Sequence, residues 1–210
     1  PNLLDKEIRN LFSQLYFLDH SFNKIQKRLI EDELSSIEIK NSRVDYWFKK
    51  DTKEELAIIL NKIMKIKNED VRLFFLCGFS NILKVCSIWL MKSIKPTRDL
   101  KKIIPSAFSV FRRQINMMKN KNRFYYSALP DKIKLNLEKY LRIDVGDARQ
   151  IKIDNNKVDI VVTSPPYVTS YEYADIHQLT AFWLDYAKDL EEFRKKFIGT
   201  SSYTIKKINL

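Results

Sequence analysis

The sequence predicts an α/β chain that is rich in helix and carries a partial sheet in its C-terminal third. Over about the first two thirds of the chain, apolar residues recur at the spacings of amphipathic helices. After residue 140, two short β-branched runs each end in a loop of unusual composition. The hydrophobic content of 45% is high enough to form a buried core, which excludes a generally disordered chain.

The predicted helices follow one another through residue 120. An N-terminal helix is indicated by apolar residues at spacings of three and four: Leu4, Ile8, Leu11, Leu15 and Leu18. Residues 51–66 form a second helix, which Asp51 or Thr52 could cap. Residues 69–91 form an apolar helix and residues 106–120 form a further one. A basic loop, residues 95–102, separates these two and is broken by Pro96.

The character of the sequence changes near residue 140. A helix is predicted over "DKIKLNLEKYL", and the two β-branched runs follow in "RIDVGDARQIKI" and "VDIVVTSPPY", with a turn at "DNN" between them. We interpret the runs as parallel strands that present functional loops at their carboxyl ends. Residues 174–197 read as one helix, or as two that are broken near Tyr186.

The positive charge is concentrated in the middle of the chain. The formal net charge is +12, and residues 92–152 hold 16 Lys and Arg against 5 Asp and Glu, a net of +11. This distribution favours an acidic partner, nucleic acid above all, although lysines that are merely solvated would give the same count. Five basic residues are the candidate phosphate contacts, unless they only form an exposed helix end: Arg112, Arg113, Lys119, Lys121 and Arg123.

Two cysteines, Cys77 and Cys86, lie in apolar surroundings and suggest neither a disulfide framework nor a metal cluster. We predict buried, reduced thiols and no metal site, as suits a cytoplasmic protein. The most apolar segment, residues 73–91, is interrupted by polar residues, so we expect a core helix and no membrane partner.

Residues 164–167, Ser-Pro-Pro-Tyr, form the most informative loop. Because proline has no backbone N–H and fixes its own φ, two in succession make a stiff loop whose carbonyls face no neighbouring donors. Such carbonyls, together with the Ser164 hydroxyl, are suited to accept hydrogen bonds from an amino group. The ring of Tyr167 offers a stacking surface for a planar heterocycle such as cytosine or adenine. A strand end that is simply closed by a Pro-Pro turn, with Tyr167 packed, remains the alternative.

The segment "VDIVVTSPPY", residues 158–167, resembles the catalytic motif of the DNA amino-methyltransferases. The resemblance implies that Ser164, Pro165, Pro166 and Tyr167 are catalytic and that the cofactor is S-adenosylmethionine. It also implies a partial Rossmann-like methyltransferase sheet. By the same resemblance, Asp147 in "VGDAR" and Ser164 are candidate cofactor contacts. Asp147 could instead be an ordinary turn residue after Gly146.

The resemblance implies a site-specific DNA methyltransferase that acts on N4 of cytosine or N6 of adenine, in a restriction-modification system. Residues 131–210 would form a partial catalytic core, and the mainly helical residues 1–130 would contact or recognise double-stranded DNA. Two alternatives stay open. One is a methyltransferase that acts on RNA or on a protein amide, and the other is a non-catalytic nucleic-acid-binding subunit of a methylase complex.

The chain departs from this family in its glycines. The cofactor site of such enzymes contains a glycine-rich loop where the cofactor approaches the backbone closely. This sequence has three glycines, Gly78, Gly146 and Gly199, and they are far apart. We therefore expect a missing segment of the same protein, or a second chain, to supply that loop.

Overall fold

The computed structural model describes Lys6 and residues 39–144, 146–147, 150–164 and 172–197. The chain divides into two compact units. The first comprises Pro1–Met118 and Tyr167–Leu210, and the second comprises Lys119–Pro166. The predicted domain boundary near residue 130, between a DNA-contacting part and a catalytic part, stays a prediction.

Helices account for the regular structure of the described residues. In chain order they are α1 (Ser42–Trp47), α2 (Lys50–Met64), α3 (Glu69–Cys86), α4 (Ala107–Ala128), α5 (Asp131–Lys134), α6 (Leu137–Tyr140), α7 (Tyr173–Trp183) and α8 (Leu190–Lys195). Helices are thus confirmed at the predicted starts near residues 51, 69 and 106, as is the break near Tyr186. The predicted ends differ, since α3 ends at Cys86 and not at residue 91, and α4 continues past residue 120 to Ala128. The helix predicted at the N-terminus lies outside the described residues, except for Lys6.

Side chains fix where several helices begin. The Asn41 side chain accepts a hydrogen bond from the Arg43 amide at the start of α1, and the Asn68 side chain accepts one from the Val71 amide at the start of α3. The cap predicted for α2, Asp51 or Thr52, is wrong. The helix begins at Lys50, and the side chain of the preceding Lys49 makes no capping hydrogen bond. The Glu55 carboxylate instead accepts from the Ala107 amide, so it caps α4.

The first unit is built around one apolar core. Helix α3 packs against α2 and α7, and α1 packs against α2 and α7. Aromatic rings fill the interior, with Trp183 packed edge to face against Phe79 at a centroid distance of 5.6 Å. The absence of a side chain at Gly78 lets α4 approach α3 closely, because a Cβ there would collide with the Ile115 side chain.

The second unit has a different character. None of its side chains whose burial is described is buried. Residues 154–157 contain the predicted turn, which is confirmed by the positive φ of 61° at Asn156. Within the described ranges, this unit has no apolar core of its own, in contrast to the first unit.

The predicted Rossmann-like sheet is wrong for the residues that the structure describes, where no strand is found. The β-branched runs are present, but their backbones pair with no neighbouring described strand, and a single run cannot satisfy its own N–H and C=O groups. Their side chains face solvent, since Val161 and Val162 are 78% and 91% exposed. Local sequence preference alone therefore does not make a sheet here.

The two cysteines differ in environment. Cys86 is buried at the end of α3, as predicted, whereas Cys77 is exposed, which corrects the prediction for that residue. Burial raises the pKa of the Cys86 thiol to about 12, and the negative charge of Glu55 acts in the same direction. The reactive thiolate is therefore far less populated at Cys86 than at an ordinary cysteine.

We expect a thiol reagent at about pH 8 to modify Cys77 readily and to modify Cys86 only after denaturation, since both burial and the raised pKa protect Cys86. Mass spectrometry of the two cysteine-containing peptides, with and without denaturant, measures this. Modification of both peptides at similar rates in the folded protein would contradict the assignment.

Candidate functional site

Ser164 is the part of the predicted catalytic motif that the structure describes. It ends the described range 150–164, lies outside helix and strand, and is exposed. An exposed hydroxyl is accessible to a substrate amine. Pro165, Pro166 and Tyr167 lie outside the described residues, so their catalytic roles stay predictions.

The Asp147 carbonyl accepts a hydrogen bond from the Gln150 amide at 2.9 Å. Both Gly146 and Asp147 are exposed, and a Cβ at Gly146 would meet nothing within 4 Å. Gly78, in contrast, lies inside α3 against α4. The described residues therefore do not form a complete site for S-adenosylmethionine, and Asp147 remains a predicted contact.

The predicted phosphate contacts all lie on α4. Arg112 and Arg113 belong to the first unit, where Arg112 is half-buried and Arg113 is exposed. Lys119, Lys121 and Arg123 belong to the second unit. The structure thus leaves Arg113 accessible to a partner, while nothing in it tests the predicted phosphate contacts.

Exposed aromatic rings accompany the basic residues of the second unit. Phe124 is 76% exposed, and Tyr125 and Tyr126 are also exposed. The Lys134 ammonium lies 5.7 Å from the centroid of the Tyr126 ring. Cations beside exposed aromatic faces are the combination that nucleic-acid-binding surfaces use for phosphates and bases.

Helix α7, which follows the catalytic motif in the sequence, is fixed to α1 through one buried amide. The Gln178 Oε1 accepts hydrogen bonds from Arg43 Nη2 at 2.7 Å and from Trp47 Nε1 at 3.0 Å. Its Nε2 donates to the Asp175 carbonyl at 2.8 Å. Gln178 is fully buried, and without it Arg43 Nη2 and Trp47 Nε1 would lose the acceptor that they share. No sequence pattern indicated this cluster, because the partners are far apart in the chain.

A charged pair joins α7 to α8. Arg194 donates from Nε to Asp175 Oδ1 at 3.1 Å and from Nη2 to Asp175 Oδ2 at 3.1 Å. Two parallel bonds of this kind fix orientation as well as position. Together with Gln178, this pair holds α7 against both α1 and α8.

Neither a metal site nor a membrane-spanning helix is found among the residues that the structure describes. Among them, no group of three or more His, Cys, Asp or Glu is arranged to hold a metal ion. None of the described helices is both long enough and apolar enough to cross a membrane.

Comparison with known proteins gives one informative match. The chain is similar to a type II methyltransferase. The relative is M.MvaI from Kocuria varians, which is 26% identical over 156 residues, covering 71% of this chain and 34% of the relative. The chain thus spans about a third of the length of that protein. No family model and no solved structure matches the chain. The similarity supports the methyltransferase resemblance at the level of the general class.

Proposed function

We propose that this chain is part of a DNA methyltransferase that modifies the exocyclic amine of cytosine at N4 or of adenine at N6, within a restriction-modification system. The observation that carries the proposal is the Ser-Pro-Pro-Tyr motif at residues 164–167, directly after an apolar β-branched run. The similarity to a type II methyltransferase supports the general class of this proposal.

The loop residues have distinct proposed roles. The target base has to leave the helix stack to reach the loop, which costs a few kcal/mol. Stacking on the Tyr167 ring offsets part of that cost. The Ser164 hydroxyl and the Pro165 carbonyl accept hydrogen bonds from the amine, which orients the nitrogen lone pair. Catalysis then depends mainly on positioning.

The methyl donor under this proposal is S-adenosylmethionine, with Asp147 and Ser164 as contacts. Since the 210 residues contain no glycine-rich loop, the remaining contacts have to come from other residues of the protein or from a second chain. Double-stranded DNA is the proposed partner, with the basic residues of α4 as phosphate contacts. We place the protein in the cytoplasm.

The test is methyl transfer by the full-length protein. With labelled S-adenosylmethionine, we expect incorporation into duplex DNA, and digestion to nucleosides identifies N4-methylcytosine or N6-methyladenine as the product. The matched control is the same protein with Ser164→Ala and Tyr167→Ala combined. Label that enters only RNA or protein would replace DNA as the substrate.

The second candidate function is a non-catalytic nucleic-acid-binding subunit of a methylase complex. The glycine content favours it, because a chain without the cofactor loop could bind DNA and leave catalysis to a partner. DNA binding without methyl transfer, even when proteins encoded by neighbouring genes are added, would support this candidate over the first.

A further inference from the structure

We propose that residues 88–99, the basic hairpin, are a contact surface for the phosphate groups of duplex DNA, bound by Lys92, Lys95 and Arg98. The inference rests on the proposed function, since it takes DNA as the substrate. It concerns a part of the first unit that is separate in sequence from both the catalytic motif and α4.

The backbone of the basic hairpin is held in a defined shape. The Leu90 amide donates to the Thr97 carbonyl at 2.8 Å, and the Asp99 amide donates to the Ile88 carbonyl at 2.7 Å. At the tip, the Ser93 hydroxyl donates to the Lys95 carbonyl at 2.8 Å. Because the backbone is ordered, its cations are preorganised, so a partner has less conformational entropy to remove on binding.

A half-buried lysine, Lys102, fixes the base of the hairpin. Lys102 Nζ donates to the carbonyls of Lys84, Ser87 and Trp89 at 2.9, 2.7 and 2.9 Å. These bonds satisfy carbonyls at the end of α3 and at the first residues of the hairpin. Lys102 therefore has a structural role. The exposed cations Lys92, Lys95 and Arg98 are accessible to a partner.

An aromatic ring orients Arg98. Its guanidinium lies 4.1 Å from the centroid of the Tyr46 ring on α1, and that of Arg43 lies 5.1 Å away. A guanidinium held by its flat face on a ring can still donate from its edge, which is the geometry that binds phosphate. Tyr46 is itself half-exposed, so the arrangement lies at the surface.

Within the described residues, the three cations of the hairpin have no carboxylate partner. Lys92, Lys95 and Arg98 are all exposed, and none of them forms an ion pair there. The acidic residue of the hairpin, Asp99, accepts a hydrogen bond from the Lys101 amide at 3.1 Å. The surface therefore presents uncompensated positive charge, which is complementary to a polyanion.

Duplex DNA fits this surface better than an acidic protein does. Its phosphates carry one negative charge per about 1.7 Å of helix axis, so several neighbouring cations can bind at once. Met91 and Ile94 are exposed among the cations and could contact the sugars between phosphates. The hairpin combines charge with apolar surface, as a sugar-phosphate backbone requires.

The test compares two charge-matched triple variants of the full-length protein. The first replaces Lys92, Lys95 and Arg98 by Gln. The control replaces Lys65, Lys67 and Lys188 by Gln, which are exposed lysines outside the hairpin. Fluorescence anisotropy with a duplex of about 20 base pairs, between about 50 and 200 mM salt, gives the slope of log K against log salt concentration.

We expect the hairpin variant to lower the magnitude of the slope by about 2 to 3, because each lost phosphate contact removes about 0.9, while the control keeps the wild-type slope. Equal slopes for the hairpin variant and the control would overturn the inference. A change that occurs only with RNA would overturn the assignment of DNA as partner.

A second variant and a second measurement separate this inference from the proposed function. The double variant Lys92→Gln, Lys95→Gln changes only exposed side chains, and a smaller slope change of about 1 to 2 is expected from it. Methyl transfer at saturating DNA reports the proposed function. If methyl transfer occurs but both variants bind DNA with the wild-type slope, the inference about the hairpin is wrong and the proposed function stands. If the slopes change as expected but no methyl transfer occurs, the proposed function is wrong and the hairpin remains a DNA contact surface.

Discussion

Replacing Tyr167 by alanine is expected to lower methyl transfer to DNA by about 5- to 150-fold. The reason is that stacking of an unstacked base on an aromatic side chain is worth about 1–3 kcal/mol, and 1.4 kcal/mol corresponds to a factor of ten. The measurement is the initial rate of label transfer from S-adenosylmethionine to a duplex substrate, with the full-length protein.

Two controls make the Tyr167 result specific. Tyr167→Phe keeps the aromatic ring and is expected to retain most of the activity. Tyr186→Ala removes a tyrosine that is 60% exposed between α7 and α8, and it should transfer methyl groups at the wild-type rate. Equal activity of Tyr167→Ala and Tyr186→Ala would show that Tyr167 does not act as a stacking surface.

Gln178→Met is expected to lower the free energy of unfolding by about 2–4 kcal/mol. The substitution conserves volume, but it leaves the buried Trp47 Nε1 and the half-buried Arg43 guanidinium without their acceptor, and unsatisfied buried donors cost about 1–3 kcal/mol each. Urea denaturation measures the loss. Gln150→Met is the matched control, since Gln150 is exposed, and its effect should stay within about 0.5 kcal/mol.

A double variant tests whether the loss comes from the unsatisfied charge. Once Arg43 is also replaced by methionine, the Gln178→Met substitution no longer leaves a guanidinium unpaired, so its cost should fall. Purely additive effects of the two substitutions would assign the loss to the unsatisfied Trp47 Nε1 and to packing instead. The Nε of Arg43 has no hydrogen-bond partner among the described residues, which makes its dependence on Gln178 greater.

The prediction of helices from the sequence was accurate where periodicity is strong. Helices α2, α3 and α4 begin at or near the predicted residues, because an apolar stripe at helical spacing has one way to bury itself. Local hydrogen bonding also makes a helix largely independent of distant sequence. The cap of α2 was predicted wrongly, since the helix already begins at Lys50, before Asp51 and Thr52. The cap of α4 was not predicted, because its acceptor Glu55 lies 52 residues away in the chain.

The predicted sheet failed for a related reason. A β-branched run favours extended backbone, but a strand also needs a partner strand to receive its hydrogen bonds. The run itself does not indicate which segment that partner is. In the described residues, Val161 and Val162 remain exposed and unpaired with any strand. The β-branched runs therefore predicted the local backbone conformation only.

By itself, the sequence determined the helical character of the first unit, the excess of positive charge and the Ser-Pro-Pro-Tyr motif, because each of these depends on residues that are close together in the chain. Only the tertiary structure decided that Gln178 fixes α7 to α1, that Arg98 lies on Tyr46 and that Cys86 is buried while Cys77 is not. These facts depend on contacts between residues that are distant in sequence, which the packing of the whole chain selects.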